Sequence, residues 1–177
     1  MTQHPFHQFH FCPKCGSSRF KENNVKSKKC DDCGFVYYFN PSAAVVLFVT
    51  DSQNRLLLAE RAKDPAKGML DLPGGFVDMN ETAEEAVVRE IKEETGLSIT
   101  EPRFCFSLPN IYRYSGFDVH TVDLFFEVAM EQIDTSHPAD DVARLFLLSK
   151  EEIEVEKIGL RSIQEGVKRW LRNQAEK

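Results

Sequence analysis

The spacing of apolar and polar positions along this chain predicts a mixed α and β protein. Residues 43–50 form an unbroken apolar run, which reads as a buried strand. Asp51, Ser52, Gln53 and Asn54 supply turn chemistry, and residues 55–60 return as a second strand. A loop over 63–68 follows, and residues 69–73 lead into Gly74 and Gly75. Strands are predicted over 101–108 and 119–130, the second with alternating character. A polar loop over 131–141 precedes a last strand over 143–148 and a short helix over 150–155. Residues 161–173 carry helical spacing through Ile163, Val167, Trp170 and Leu171. That predicts a helix packed on the sheet, with Trp170 in the core.

Between 75 and 97 the pattern changes. A glycine turn runs into a predicted helix capped by Asn80 and stopped by Gly96. The segment reads G-x5-E-x7-R-E-U-x-E-E-x-G-U, where U is a bulky aliphatic residue. At roughly 100° per residue, Glu90, Glu93 and Glu94 share about a quadrant to a third of the helix surface. They lie beside Ala83, Ala86 and Val87, at the edge of the buried face. Like charges at these spacings repel, so the arrangement calls for cations. Carboxylates offer oxygen alone, which selects a hard ion, Mg²⁺ or Mn²⁺. A charge run by itself more often marks a solvated helix face; the glycine turn and the full spacing set this one apart.

This segment resembles the Nudix box, the motif of hydrolases that cleave a nucleoside diphosphate linked to another moiety. The resemblance implies an α+β fold, a Nudix α/β/α sandwich with a mixed sheet over 40–177. It implies metal ligation by Glu90, Glu93 and Glu94, with Glu90 and Glu94 foremost, and by the carbonyl of Gly74. Gly75 is placed at the substrate. Arg89 is expected to hold the glutamates by ion pairing and Glu81 to support the start of the helix. Family members often take a further acid from a downstream loop. Asp140 and Asp141 are the candidates here, with Asp141 expected to be catalytic and Glu131 next. The implied reaction is attack of metal-activated water on one phosphorus of a diphosphate.

The cysteines form a second pattern. Cys12 and Cys15 are spaced C-x2-C, as are Cys30 and Cys33, with 14 residues between the pairs. Each pair is followed by a glycine, Gly16 and Gly34, which lets the backbone curl so that its N–H groups face the sulfurs. Four thiolates favour tetrahedral Zn²⁺ with no open position, hence a structural ion. The pattern looks like a zinc ribbon over 1–39, where the metal supplies folding energy that so short a segment lacks. A disulfide pair or a redox C-x-x-C are the alternatives. The basic run Lys26, Lys28, Lys29 reads as solvated, and the aromatics of 35–39 read as a strand covering the join to the main domain. His4, His7 and His10 read as a mobile end, Asn40-Pro41-Ser42 as a hinge, and Cys105 as a small buried hydrophobe.

Composition narrows the classes. The 177 residues allow one ordinary domain and a small module, with 42% hydrophobic content for a core. Net charge is −6, which argues against a general nucleic-acid binder. The acid is concentrated: residues 78–94 carry seven acids and two bases, whereas residues 1–39 carry six bases and three acids. No stretch approaches the roughly 18 apolar residues of a membrane span. The N-terminal sequence has no secretory pattern, so the expectation is a cytoplasmic protein.

A zinc ribbon ahead of a Nudix domain is similar to the NADH pyrophosphatases. Their Ser-Gln-Pro-Trp-like motif is here replaced by the stretch from Ser107 to Ser115, which departs from it. Tyr112 and Tyr114 share one face of an extended chain and can stack on a nucleobase, and Arg113 can meet a phosphate. ADP-ribose or a related nucleotide sugar is the first expectation, NADH the second, and a nucleoside triphosphate or dinucleoside polyphosphate the third. A ligand-sensing or nucleic-acid-binding regulator built on the same fold is the alternative of another class. The resemblance also makes a homodimer plausible.

Overall fold

In the computed structural model, which describes residues 4–135 and 137–175, the chain divides into two units, Met1–Pro41 and Ser42–Lys177. The first is built on a three-stranded antiparallel sheet of β1 (Phe20–Asn24), β2 (Ser27–Cys30) and β3 (Val36–Tyr38). Its core is small: Cys12, Phe20 and Cys30, with Phe35 against them. Phe6 is 1% exposed, stacks on Tyr37 at 5.1 Å and meets Phe39 edge-on at 5.0 Å. His4 Nε2 donates to the Asn24 carbonyl at 2.8 Å. The chain from His4 onward is therefore packed, not the mobile end expected from its histidines. Burial of Phe6 among the later aromatics outweighs the polar composition around it.

In the second unit the strands are β4 (Ser42–Thr50), β5 (Leu56–Arg61), β6 (Leu70–Asp71), β7 (Gly74–Phe76), β8 (Arg103–Tyr114), β9 (Phe117–Ala129) and β10 (Val142–Leu148). They form one sheet whose main path is β10-β5-β4-β9-β8, with β6 beside β5 and β7 beside β4. Only the β4–β9 pairing is parallel, so the sheet is mixed. Two helices, α1 (Ala83–Thr95) and α2 (Arg161–Ala175), cover its faces. Val45, Leu47 and Val49 of β4 pack with Ala86, Val87 and Ile91 of α1. Val46 and Phe48 pack with Ile163, Val167 and Trp170 of α2. Burial on both faces explains why β4 reads as a continuous apolar run. Trp170 is 4% exposed and stacks on Phe48 at 5.8 Å.

Several local expectations are corrected. Helix α1 is capped by Thr82, not Asn80: Thr82 Oγ1 accepts from the Glu85 N–H at 3.2 Å, and Glu85 Oε2 accepts from the Thr82 N–H at 2.8 Å. That reciprocal pair is a capping box, and Asn80 sits ahead of it in the left-handed region. Strand β8 runs to Tyr114 rather than ending near 108. As an edge strand it tolerates Pro109, which has no N–H to pair. Residues 150–155 hold no α-helix; single 3-10 turns lie at Lys150–Glu152 and Val155–Lys157. Cys105 is half-buried on the same edge, its Sγ 3.4 Å from Glu127 Oε2. It is thus a polar contact at a register shift between Phe104 and Phe106 rather than a core hydrophobe.

Candidate active site

The turn between β6 and α1 brings backbone and carboxylates together. Gly74 has φ 151°, and a Cβ there would run into the Val45 carbonyl across the β4–β7 pair. Side chains are excluded here, so the backbone lies close against β4. The Gly74 N–H donates to Glu94 Oε2 at 3.0 Å. A Cβ on Gly75 would overlap the Glu90 carboxylate. Glu94 is only 9% exposed. Burial pushes its carboxyl up to about 8, helped by the charges of Glu90, Asp71 and Asp140 and opposed by the Gly74 N–H. Burial likewise raises Glu90, against the pull of Arg89. Buried Glu94 and half-buried Glu90 both ionise reluctantly and offer oxygen ligands, which fits a hard divalent cation: such an ion would supply the charge compensation that burial withholds.

Arg89 organises the mouth of this turn. Its Nε and Nη2 bond the two oxygens of Glu81 at 2.8 and 2.9 Å, and Nη2 also donates to the Phe76 carbonyl at 3.1 Å. Nη1 reaches Glu90 Oε1 at 2.8 Å and Glu93 Oε2 at 3.1 Å. The hydrogen bonds from Arg89 hold Glu81 down at about 2. Glu81 is tied further by the Asp78 N–H at 3.0 Å. One planar guanidinium thus links β7, the start of α1 and two of the glutamates.

Glu90 and Glu94 open onto a pocket of about 430 Å³, within the roughly 300–1,000 Å³ of small-ligand sites. Gly74, Gly75, Tyr112, Tyr114, Asp140 and Asp141 also line it. Glu93 does not; its half-exposed carboxylate faces Arg89. Arg113 does not either. Strand periodicity sends it to the opposite side from its tyrosine neighbours, where it pairs with Asp118 at 3.0 Å, which corrects its expected place at the substrate. Of the downstream acids, Asp140 bears electrostatically on both Glu90 and Glu94, Asp141 is ion-paired to Lys63, and Glu131 is exposed and off the pocket.

Sequence reading missed the pocket's own cation. Arg61, at the end of β5, pairs with Asp71 at 2.5 Å, donates to the Pro65 carbonyl at 2.6 Å and reaches the Tyr112 hydroxyl at 3.2 Å. Asp71 is buried, and burial raises its carboxyl in spite of Arg61. The available signal was one charged residue closing each of two short apolar segments. Phe76 meets Tyr112 edge-on at 6.1 Å, and Tyr112 stacks with Tyr114 at 6.4 Å.

In the first unit the four sulfurs converge. Among the described residues, Cys12, Cys15, Cys30 and Cys33 are the one group of three or more His, Cys, Asp or Glu whose ligand atoms lie within 4.8 Å of each other. The Sγ separations are 3.8 Å for Cys12–Cys33 and 3.6 Å for Cys15–Cys30. A tetrahedron with Zn–S bonds of about 2.3 Å has edges of about 3.8 Å, so the cage has the size of that ion. Gly16 and Gly34, at φ 74° and 72°, turn the chain after each pair. The Cys33 N–H, with the neighbouring thiols, draws the Cys30 thiol down to about 7 against burial.

The model of the NUDIX domain matches residues 40–171, and the chain belongs to that family. It is 32% identical over 106 residues to the "NAD-capped RNA hydrolase NudC" of Vibrio atlanticus, covering 60% of this chain and 39% of that protein. It is 51% identical over 70 residues to the "ADP-ribose pyrophosphatase" of Methanocaldococcus jannaschii, covering 40% of this chain and 41% of that protein. The chain thus spans about two fifths of the length of these relatives. Its structure superposes on a NUDIX hydrolase from Nitrosomonas europaea with a TM-score of 0.71 at 25% identity, over 94% of this chain and 92% of that one. Among the described residues no helix is long and apolar enough to cross a membrane.

Proposed function

We propose that this protein hydrolyses the diphosphate of a nucleoside diphosphate linked to another moiety, with ADP-ribose or a related nucleotide sugar as substrate. One observation carries the reading: half-buried Glu90 and buried Glu94 lie against Gly75 and Gly74 and open onto a nucleotide-sized pocket. The stretch shared with the archaeal ADP-ribose pyrophosphatase supports the substrate class.

Glu90, Glu94 and the Gly74 carbonyl are the groups that would hold Mg²⁺ or Mn²⁺. Such an ion, when bound, offsets charge on the diphosphate and acidifies a water. The chain's own part is positional. Arg89 holds Glu90 and Glu93 in register with Glu81. Gly75 leaves room for the diphosphate to approach the carboxylates. Asp140 is the acid best placed to take the proton of the attacking water, ahead of Asp141, which Lys63 engages. Water oxygen bonds to one phosphorus as the bridging P–O bond breaks, and the leaving phosphate keeps the bridging oxygen. Tyr112 and Tyr114 offer ring faces to the nucleoside. The four cysteines hold a structural Zn²⁺.

The similarity to NAD-capped RNA hydrolases favours a second reading, in which NADH or an NAD-type end is the substrate. Phosphorus NMR of products from ADP-ribose, NADH, NAD⁺ and UDP- and GDP-sugars in Mg²⁺ tests both. The expected result is AMP and ribose 5-phosphate from ADP-ribose as the fastest reaction. Faster cleavage of NADH selects the second reading, and no cleavage of any member of the panel rejects the hydrolase.

A further inference from the structure

Beyond the carboxylates, the pocket follows the inner face of the β8–β9 hairpin. Asn110 of β8 and Thr121 of β9 stand directly opposite each other in the ladder, and both line the pocket. Asp123 is on the same face, two residues along β9. Thr121 Oγ1 donates to Asp123 Oδ1 at 2.5 Å, and Ser162 Oγ donates to Asp123 Oδ2 at 2.6 Å. All three are buried, Asp123 at 3% exposure and Thr121 at 4%.

A carboxylate only accepts, so the Thr121 hydroxyl proton is spent on Asp123. What Thr121 Oγ1 can offer a ligand is therefore lone pairs alone. The half-buried Asn110 amide makes no side-chain hydrogen bond among the described residues, which leaves its Oδ1 and Nδ2 free to meet a ligand. Arg61 is the one cation lining the pocket among the described residues, and Asp71 already engages it. The hairpin end is therefore built for a neutral group that donates hydrogen bonds, beside the Tyr112 and Tyr114 rings, rather than for phosphate.

We propose that Asn110 and Thr121 select the nucleobase, favouring adenine over a 6-keto purine. The inference rests on the hydrolase reading above and names which base that site takes. Adenine offers an exocyclic amine next to a ring nitrogen. The amine donates to Thr121 Oγ1 or Asn110 Oδ1, and the ring nitrogen accepts from Asn110 Nδ2. Amide pairing of this kind is how asparagine reads adenine elsewhere. A 6-keto purine puts an acceptor where the amine would be. It then faces Thr121 lone pairs with no proton between them, and Asn110, by holding the ring edge against Thr121, is what makes that mismatch count.

The test compares ADP-ribose with its hypoxanthine analogue, IDP-ribose, in wild type and Asn110→Leu. Rates are measured in Mg²⁺ and binding by calorimetry in Ca²⁺. Wild type is expected to prefer ADP-ribose by about tenfold or more in both readouts. Asn110→Leu should narrow that to under about threefold, raising KM for ADP-ribose more than it lowers kcat. Equal binding of the two ligands by wild type, or a preference undiminished in Asn110→Leu, overturns the assignment. A binding preference lost in Asn110→Leu, without turnover of either compound, supports the base site and rejects the hydrolase.

Discussion

The Glu90 carboxylate lies in the space that a Cβ on Gly75 would fill. Glycine is required at this position by volume, not by backbone conformation, and the reason is the Glu90 carboxylate rather than the core. Its neighbour Gly74 serves Glu94 differently, donating its N–H to the carboxylate while crossing β4 closely. The two glycines and the two glutamates form one unit although they come from a strand and a helix.

Gly75→Ala should therefore displace Glu90 and lower kcat by about 100-fold, the scale expected when a catalytic group is misplaced by an ångström. Thermal melting checks that the fold survives, with a midpoint shift of only a few degrees, roughly 2–4 °C. A fully active alanine variant would mean that Glu90 is free to move without consequence.

Arg89→Lys keeps the charge but loses the fork that spans Glu81, Glu90 and Glu93. Activity at fixed Mg²⁺ should fall about 10- to 100-fold, as when groups that orient metal ligands are removed. The Mg²⁺ concentration for half-maximal rate should rise with it. A lowered rate with an unchanged Mg²⁺ requirement would place Arg89 at the substrate instead.

Glu94 makes stability depend on pH in the absence of divalent cations. Its folded value of about 8 lies above the ordinary 4.5. Between those limits the folded protein keeps a proton that the unfolded chain has released, so stability falls as pH rises through the window. In chelator the melting midpoint should drop from pH 5 to pH 8, by roughly 5 °C or more. Glu94→Gln should flatten the dependence, because the amide does not titrate. Calorimetric melts across that range decide it, and identical profiles for the two proteins would show that Glu94 is not the group responsible.

The cysteine cage predicts one zinc per chain in protein purified without chelators. Cys30→Ser should release the metal and abolish amide protection across Phe20–Asn24 and Ser27–Cys30, because the apolar core there is only a few side chains. Hydrogen exchange reads the loss directly. Protection that persists without metal would mean that Phe6 and its aromatic partners suffice.

Much of this site is legible in the sequence because it is local. The glutamates share one helix face by spacing alone, and the cysteine pairs fix their own turns. What the chain order hides is contact between distant strands. Arg61 and Asp71 each look like a charge ending an apolar segment, and only the β5–β6 pairing makes them an ion pair that reaches the Tyr112 hydroxyl. Arg113 looked like a phosphate ligand by adjacency, yet strand alternation turns it outward. Phe6 looked like part of a polar end until Tyr37 and Phe39 folded over it. Asn110 carried no local signal, since its role depends on Thr121 across the hairpin.

The most direct test of the central claim is turnover of ADP-ribose, with and without Mg²⁺, by wild type and Glu94→Gln, read by phosphorus NMR. The account predicts AMP and ribose 5-phosphate from wild type with Mg²⁺, negligible product in chelator, and a rate at least about 100-fold lower in the variant. Equal turnover without the cation, or an unimpaired variant, would contradict it.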